Sequence, residues 1–190
     1  MYKICKTDQS VKRQILISKA FLFLMNNSQF SDIKISDVCR QANISRKTFY
    51  RYFDSIEDIL SFSITTFCEE YSFILQTKLS AKQIPTRNFF DEFLILFDSN
   101  QDLINALSKN ALINILEEKL IHYWRTEWFF HTPSLVDKAE TFRHDAIAFS
   151  IFGIWGLLLE KYHSGGSYSL DEMSQLLSCL MSEPLSNIIY

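Results

Sequence analysis

Apolar residues recur at helical spacing along almost the whole chain. Ile35, Val38, Cys39 and Ala42 fall at i, i+3, i+4 and i+7, which is one face of a helix. Asn43-Ile44-Ser45 interrupts the pattern, and Asn is among the few non-glycine residues that tolerate a positive φ and so end a helix sharply. Ser45 can cap a second short helix whose apolar residues are Phe49 and Phe53. Arg46, Lys47, Tyr50 and Arg51 are left pointing away from that core. Two short helices joined by a tight turn, the second carrying cations outward, predict a helix-turn-helix with its recognition helix.

The rest of the chain reads the same way. Residues 11–25 form a first helix that braces the pair. Ser55, with Glu57 and Asp58 in the following turn, opens a long fourth helix over 55–79. A break is expected at 81–85, where Pro85 stands. Helices follow at 89–98 and 102–116, with 117–130 as a continuation or a further helix. Thr132-Pro133-Ser134 stops and restarts the pattern. A long helix then runs over 134–163 and ends at Gly165-Gly166. Ser169 and Glu172 form a capping box that opens the last helix, to about Ser182. No strand alternation and no internal repeat is present. The expected fold is all-α.

The stretch 35–53 resembles the DNA-binding domain of the tetracycline-repressor (TetR) family of bacterial transcription regulators. The matching pieces are Ile35-Ser36-Asp37-Val38, Ala42-Asn43-Ile44-Ser45 and Thr48-Phe49-Tyr50-Arg51-Tyr52-Phe53. The likeness covers about residues 10–62. It implies an N-terminal three-helix helix-turn-helix domain over 1–54 and a C-terminal helical ligand-binding and dimerisation domain over 55–190. Two departures stand out. Asn43 occupies the turn position that is usually Gly, and Ile56 stands where the family usually has a phosphate-binding Lys.

The resemblance also implies roles. Ser45, Arg46, Lys47, Thr48 and Tyr50 would approach bases or flanking phosphates. Arg51 and Tyr52 would meet the sugar-phosphate backbone. Ser36 would favour a phosphate at the opening of the preceding helix. Phe67, Tyr71, Phe93, Phe97, Trp124, Trp128, Phe149 and Phe152 lie on the helices that surround an effector cavity in this family. Against that stands plain core packing, the commoner use of aromatics at helical spacing. Trp155, Gly156, Leu159, Leu176, Leu177 and Leu180 lie on the last two helices, which pair between subunits in this family. The same faces could instead pack within one chain.

Charge changes the picture by its distribution. The net charge over 190 residues is −3, but residues 1–60 hold ten Lys/Arg against six Asp/Glu, or +4. The remaining residues hold nine against sixteen, or −7. The basic part coincides with the proposed reading head. Hydrophobic residues make up 47% and charged residues 22%, which are globular values.

Other chemistry is excluded by pattern. The four Cys are scattered with no CxxC spacing, and no pair among His122, His131, His144 and His163 has compact-site spacing, so no metal and no cofactor is expected. A Gly-rich phosphate loop, a Gly-x-Ser-x-Gly elbow and a nucleophile-base pattern are all lacking, so no enzyme is expected. With no signal-peptide pattern and no uninterrupted apolar run of about 18 residues, the expectation is a cytoplasmic protein without a membrane span.

The reading that follows is a homodimeric DNA-binding regulator, a repressor released from its double-stranded operator by a largely apolar small molecule. The alternative keeps the DNA-binding head but replaces the small molecule with a protein. The head also resembles a branch of the family linked to dihydroxyacetone kinase, where a kinase-like protein is the partner. A third reading, a helical ligand-binding protein that has lost DNA binding, rests on Ile56 alone.

Overall fold

The computed structural model describes residues 2–5, 7–79, 87–123, 153, 156–158, 160 and 169–182. Among these, every regular element is helical. The chain forms α1 (Asp8–Asn27), a short 3-10 turn (Phe30–Asp32), α2 (Ile35–Gln41), α3 (Arg46–Phe49), α4 (Ile56–Leu79), α5 (Arg87–Ser99), α6 (Gln101–Lys109), α7 (Ile113–Tyr123) and α8 (Leu170–Ser182). Gly153, 156–158 and 160 are also helical. They fall inside the helix expected at 134–163, the rest of which lies outside the described residues, as do the breaks at 81–85 and 132–134.

The chain divides into two compact units. The first takes the chain up to Phe67 together with Asn100–Leu116. It therefore extends past the residue-54 boundary read from the sequence, and it includes α6. The second comprises Cys68–Ser99 and the chain from Glu117 onward. α4 contributes to both.

In the first unit, α1 packs against α2 and α6, and α2 against α3. α1 begins three residues earlier than its apolar period suggests, because Thr7 caps it, its hydroxyl accepting from the Ser10 N–H at 3.3 Å. Gln14, Ile17, Ser18, Phe21 and Met25 lie on its inward face. Phe21, Phe49 and Phe53 are fully buried, each contributing roughly 1.5–3 kcal/mol over an exposed position. Cys39 belongs to the same core, and burial pushes its thiol pKa up.

The helix expected over 102–116 is broken. α6 stops at Lys109, and Ala111 adopts φ 55°. The Leu112 N–H reaches the Leu107 carbonyl at 2.8 Å and the Ala111 N–H the Ser108 carbonyl at 3.1 Å, which is a Schellman motif. Tertiary bonds hold this unfavourable turn. The Asn110 amide donates to the carbonyls of Met25 (3.1 Å) and Ala106 (2.8 Å), and its oxygen accepts from the Phe30 N–H at 2.6 Å. Lys109 Nζ adds a bond to the Asn26 carbonyl at 3.0 Å. The end of α6 is thereby tied to the end of α1 and to the turn that leads into α2.

In the second unit α5 packs on α8. Cys68, Tyr71, Leu94, Phe97, Leu120, Leu158, Met173 and Leu177 are buried there. Burial pushes the Cys68 thiol pKa up to about 12, so it is a neutral core group. The capping box of α8 is present. The Glu172 N–H donates to Ser169 Oγ at 3.2 Å and the Ser169 N–H to Glu172 Oε2 at 2.8 Å. Those Ser169 bonds hold the Glu172 carboxyl below its usual pKa.

Candidate nucleic-acid interface

The turn between α2 and α3 is a second Schellman motif. Asn43 sits at φ 50°, its N–H bonded to the Arg40 carbonyl at 3.2 Å, and the Ile44 N–H bonds to the Cys39 carbonyl at 2.9 Å. Asn43 thus takes the left-handed conformation for which glycine is the usual residue. The chain re-enters helix at once. Ser45 Oγ accepts from the Thr48 N–H at 3.1 Å, and the two hydroxyls lie 2.9 Å apart. Both Ser45 and Thr48 are therefore engaged in the cap, with lone pairs left for a further partner.

α3 is short, and its end is tight. The Tyr50 N–H returns to Arg46, but the Arg51 and Tyr52 N–H groups bond three residues back, to Thr48 (3.2 Å) and Phe49 (2.9 Å). Phe49 and Phe53 anchor it inward, with ring centroids 6.1 Å apart. Outward it presents Ser45, Arg46, Lys47, Tyr50 and Arg51, all exposed, with Thr48 partly so. Tyr50 keeps 48% of its surface in solvent, although its ring packs edge-on against Phe49 at 5.5 Å.

Two residues near the end of the motif are buried. Tyr52 is 9% exposed and packs into the core. Ile56 is equally buried at the start of α4, which gives that position a packing role. Ser36 is half-buried in the first turn of α2. Beside it, Asp37 Oδ2 accepts from the Lys34 N–H at 3.1 Å, and its other oxygen pairs with Arg40 at 3.0 Å. A carboxylate thus already serves part of that helix start.

Of the residues expected to line an effector site, Phe67 is buried in the first unit, and Tyr71 and Phe97 in the second. The side chain of Phe93 and all of Trp124, Trp128, Phe149 and Phe152 lie outside the described residues. An open groove of ≈ 560 Å³ occurs on the second unit, lined by residues of α4 and α5 that do not include Tyr71. Phe73 (67% exposed) and Ile95 (60%) stand at it, with Glu69, Glu70 and Glu92 among its lining. Of the residues expected at a dimer contact, Leu177 is buried within its own chain at 2%, Leu176 is half-buried and Gly156 is exposed. Trp155, Leu159 and the side chain of Leu180 lie outside the described residues. Among the described residues no group of His, Cys, Asp or Glu could hold a metal ion, and no helix is long and apolar enough to cross a membrane.

Sequence reasoning missed Lys3, Gln14 and Asn110, which tie the reading head together through backbone carbonyls. Such bonds leave no periodic signal.

A basic, outward-facing short helix behind a Schellman turn defines a DNA-binding helix-turn-helix class. Residues 28–61 match the family model described as bacterial regulatory proteins, tetR family. Over 53 residues it is 42% identical to the HTH-type dhaKLM operon transcriptional activator DhaS of Lactococcus lactis subsp. lactis (strain IL1403), a stretch that spans 28% of each chain. Similar solved structures include a transcriptional regulator (TerR/AcrR family) from Aquifex aeolicus VF5. It has a TM-score of 0.64 and 16% identity, covering 94% of this chain and 99% of that one. The structure described as dihydroxyacetone kinase operon activator DhaS gives 0.61 and 22%, covering 94% and 97%. At those identities the likeness is one of fold. The family and these fold neighbours are transcription regulators, not enzymes.

Proposed function

We propose that the chain is a homodimeric, sequence-specific DNA-binding repressor that lets go of its operator when a largely apolar small molecule binds. The observation that carries the DNA part is the joint exposure of Arg46, Lys47, Tyr50 and Arg51 on a helix fixed at both ends. Arg46 and Lys47 open that helix, where side chains reach the floor of the major groove, and Arg51 lies nearer the phosphates. Two such heads must stand about 34–36 Å apart to meet successive major grooves. An effector acts by binding the state that spoils this spacing more tightly than the state that keeps it.

Exposed Gly153 and Gly156 support a dimer through the last two helices. Among the described residues, a Cβ at either meets nothing within 4 Å, which is compatible with close approach of a partner helix. Leu177 serves its own chain's core in this reading, and Leu176 is the better-placed contact. The open groove along α4 and α5 favours a second reading, in which a protein takes the effector's place, because exposed Phe73 and Ile95 suit an interface anchor.

The test is DNA binding by the purified chain to a duplex selected from a randomised library, across a series of salt concentrations. Affinity should fall with a log–log slope of about −0.9 per phosphate contact. A flat response overturns the proposal.

A further inference from the structure

The segment ahead of α1 lies along the far end of the recognition helix. The Lys3 N–H donates to the Tyr52 carbonyl at 3.1 Å, and the Lys3 carbonyl accepts from Gln14 Nε2 at 2.8 Å. Gln14 is 2% exposed, so that bond is sheltered and its geometry is defined. Lys3 Nζ donates to the Tyr50 carbonyl and pairs with Asp54 Oδ1 at 3.2 Å. Tyr2 anchors the segment against Phe62 of α4, edge to face at 5.3 Å.

The position of the ammonium is chemically apt. Tyr50 caps the C-terminus of α3, where carbonyls lack partners within the helix. A cation there satisfies one of them. Asp54 lies in the link to α4. One side chain therefore joins the end of α3 to the residue that leads into α4. Lys3 and Asp54 are about half exposed, at 48% and 56%, so their ion pair alone is screened and weak. The combination of carbonyl, carboxylate and sheltered backbone bond is what gives the clamp a single geometry.

We propose that Lys3 is a positioning residue for DNA recognition: it fixes the tilt of α3, and so the reach of Arg46, Lys47 and Tyr50, without touching DNA itself. This rests on the DNA-binding reading above. Loosening the clamp should cost sequence discrimination while leaving general attraction to DNA intact.

The experiment uses the full chain and four proteins: wild type, Lys3→Met, Lys3→Arg and Gln14→Met. Each is titrated with the duplex selected by the wild type and with a scrambled duplex, at several salt concentrations. Amide exchange at Arg51, Tyr52 and Phe53 is followed without DNA. Lys3→Met should weaken the selected duplex about three- to tenfold, the scale of one ordinary net hydrogen bond. The scrambled duplex should change less than about twofold and the salt slope should not move, since no phosphate contact is lost. Lys3→Arg should restore discrimination. Gln14→Met, which keeps the charge, should loosen the same three amides as Lys3→Met. If Lys3→Met weakens both duplexes alike with a slope shallower by about 0.9, Lys3 is a phosphate contact and the proposal falls. Unchanged discrimination and unchanged exchange in both Met variants also overturn it. A wild type that selects no duplex overturns the DNA reading, and this role with it.

Discussion

Ser18 of α1 and Ser63 of α4 form a buried hydroxyl pair whose two members should not be equivalent. Their oxygens are 2.7 Å apart, and the residues are 7% and 6% exposed. Ser63 has one hydroxyl proton, and it goes to the Ile59 carbonyl at 2.8 Å. At the shared contact Ser18 must therefore donate and Ser63 accept. Ser18→Ala removes one net hydrogen bond, about 0.5–1.5 kcal/mol, and leaves Ser63 still bonded to its own helix. Ser63→Ala strands the Ser18 donor in a nearly dry site, which costs about 1–3 kcal/mol. Truncating both removes the stranded donor, so the double variant should lie close to Ser18→Ala and well short of the sum. The assay is urea unfolding followed by far-UV circular dichroism, with the four midpoints compared at constant m. Equal losses for the two single variants, adding in the double, would show that Ser18 finds another acceptor and would refute the proton assignment.

Two further outcomes are expected. Ala111→Gly should stabilise the chain by about 0.5–1 kcal/mol, because relief of the left-handed conformation, about 1–2 kcal/mol, outweighs the entropic cost of glycine; a lowered midpoint in thermal unfolding contradicts this. Arg46→Ala should relax base preference at one operator position, at about 1–3 kcal/mol, whereas Arg51→Ala should weaken all duplexes alike; a mutant-operator panel that does not separate the two removes the distinction between base and backbone roles.

The reading head was legible in the sequence because its determinants are local. The period of Ile35, Val38, Cys39 and Ala42, a residue tolerant of positive φ at Asn43, and a hydroxyl at Ser45 act within one or two helical turns, where propensity and capping decide the outcome. The box at Ser169 and Glu172 was readable for the same reason. Tyr52 was not, since its neighbours in sequence leave its burial open and only packing placed its ring in the core. The break at Asn110–Ala111 was hidden too. The apolar period runs straight through it, and a non-glycine residue at φ 55° is held there by bonds from Asn110 to Met25 and Phe30, about eighty positions away in the chain. The Lys3 clamp is likewise a long-range contact between a side chain and a carbonyl, and carbonyls are the same in every residue. Local patterns thus determined which segments are helical and which residues could face DNA, while tertiary packing decided where one helix must end and what holds the recognition helix in place.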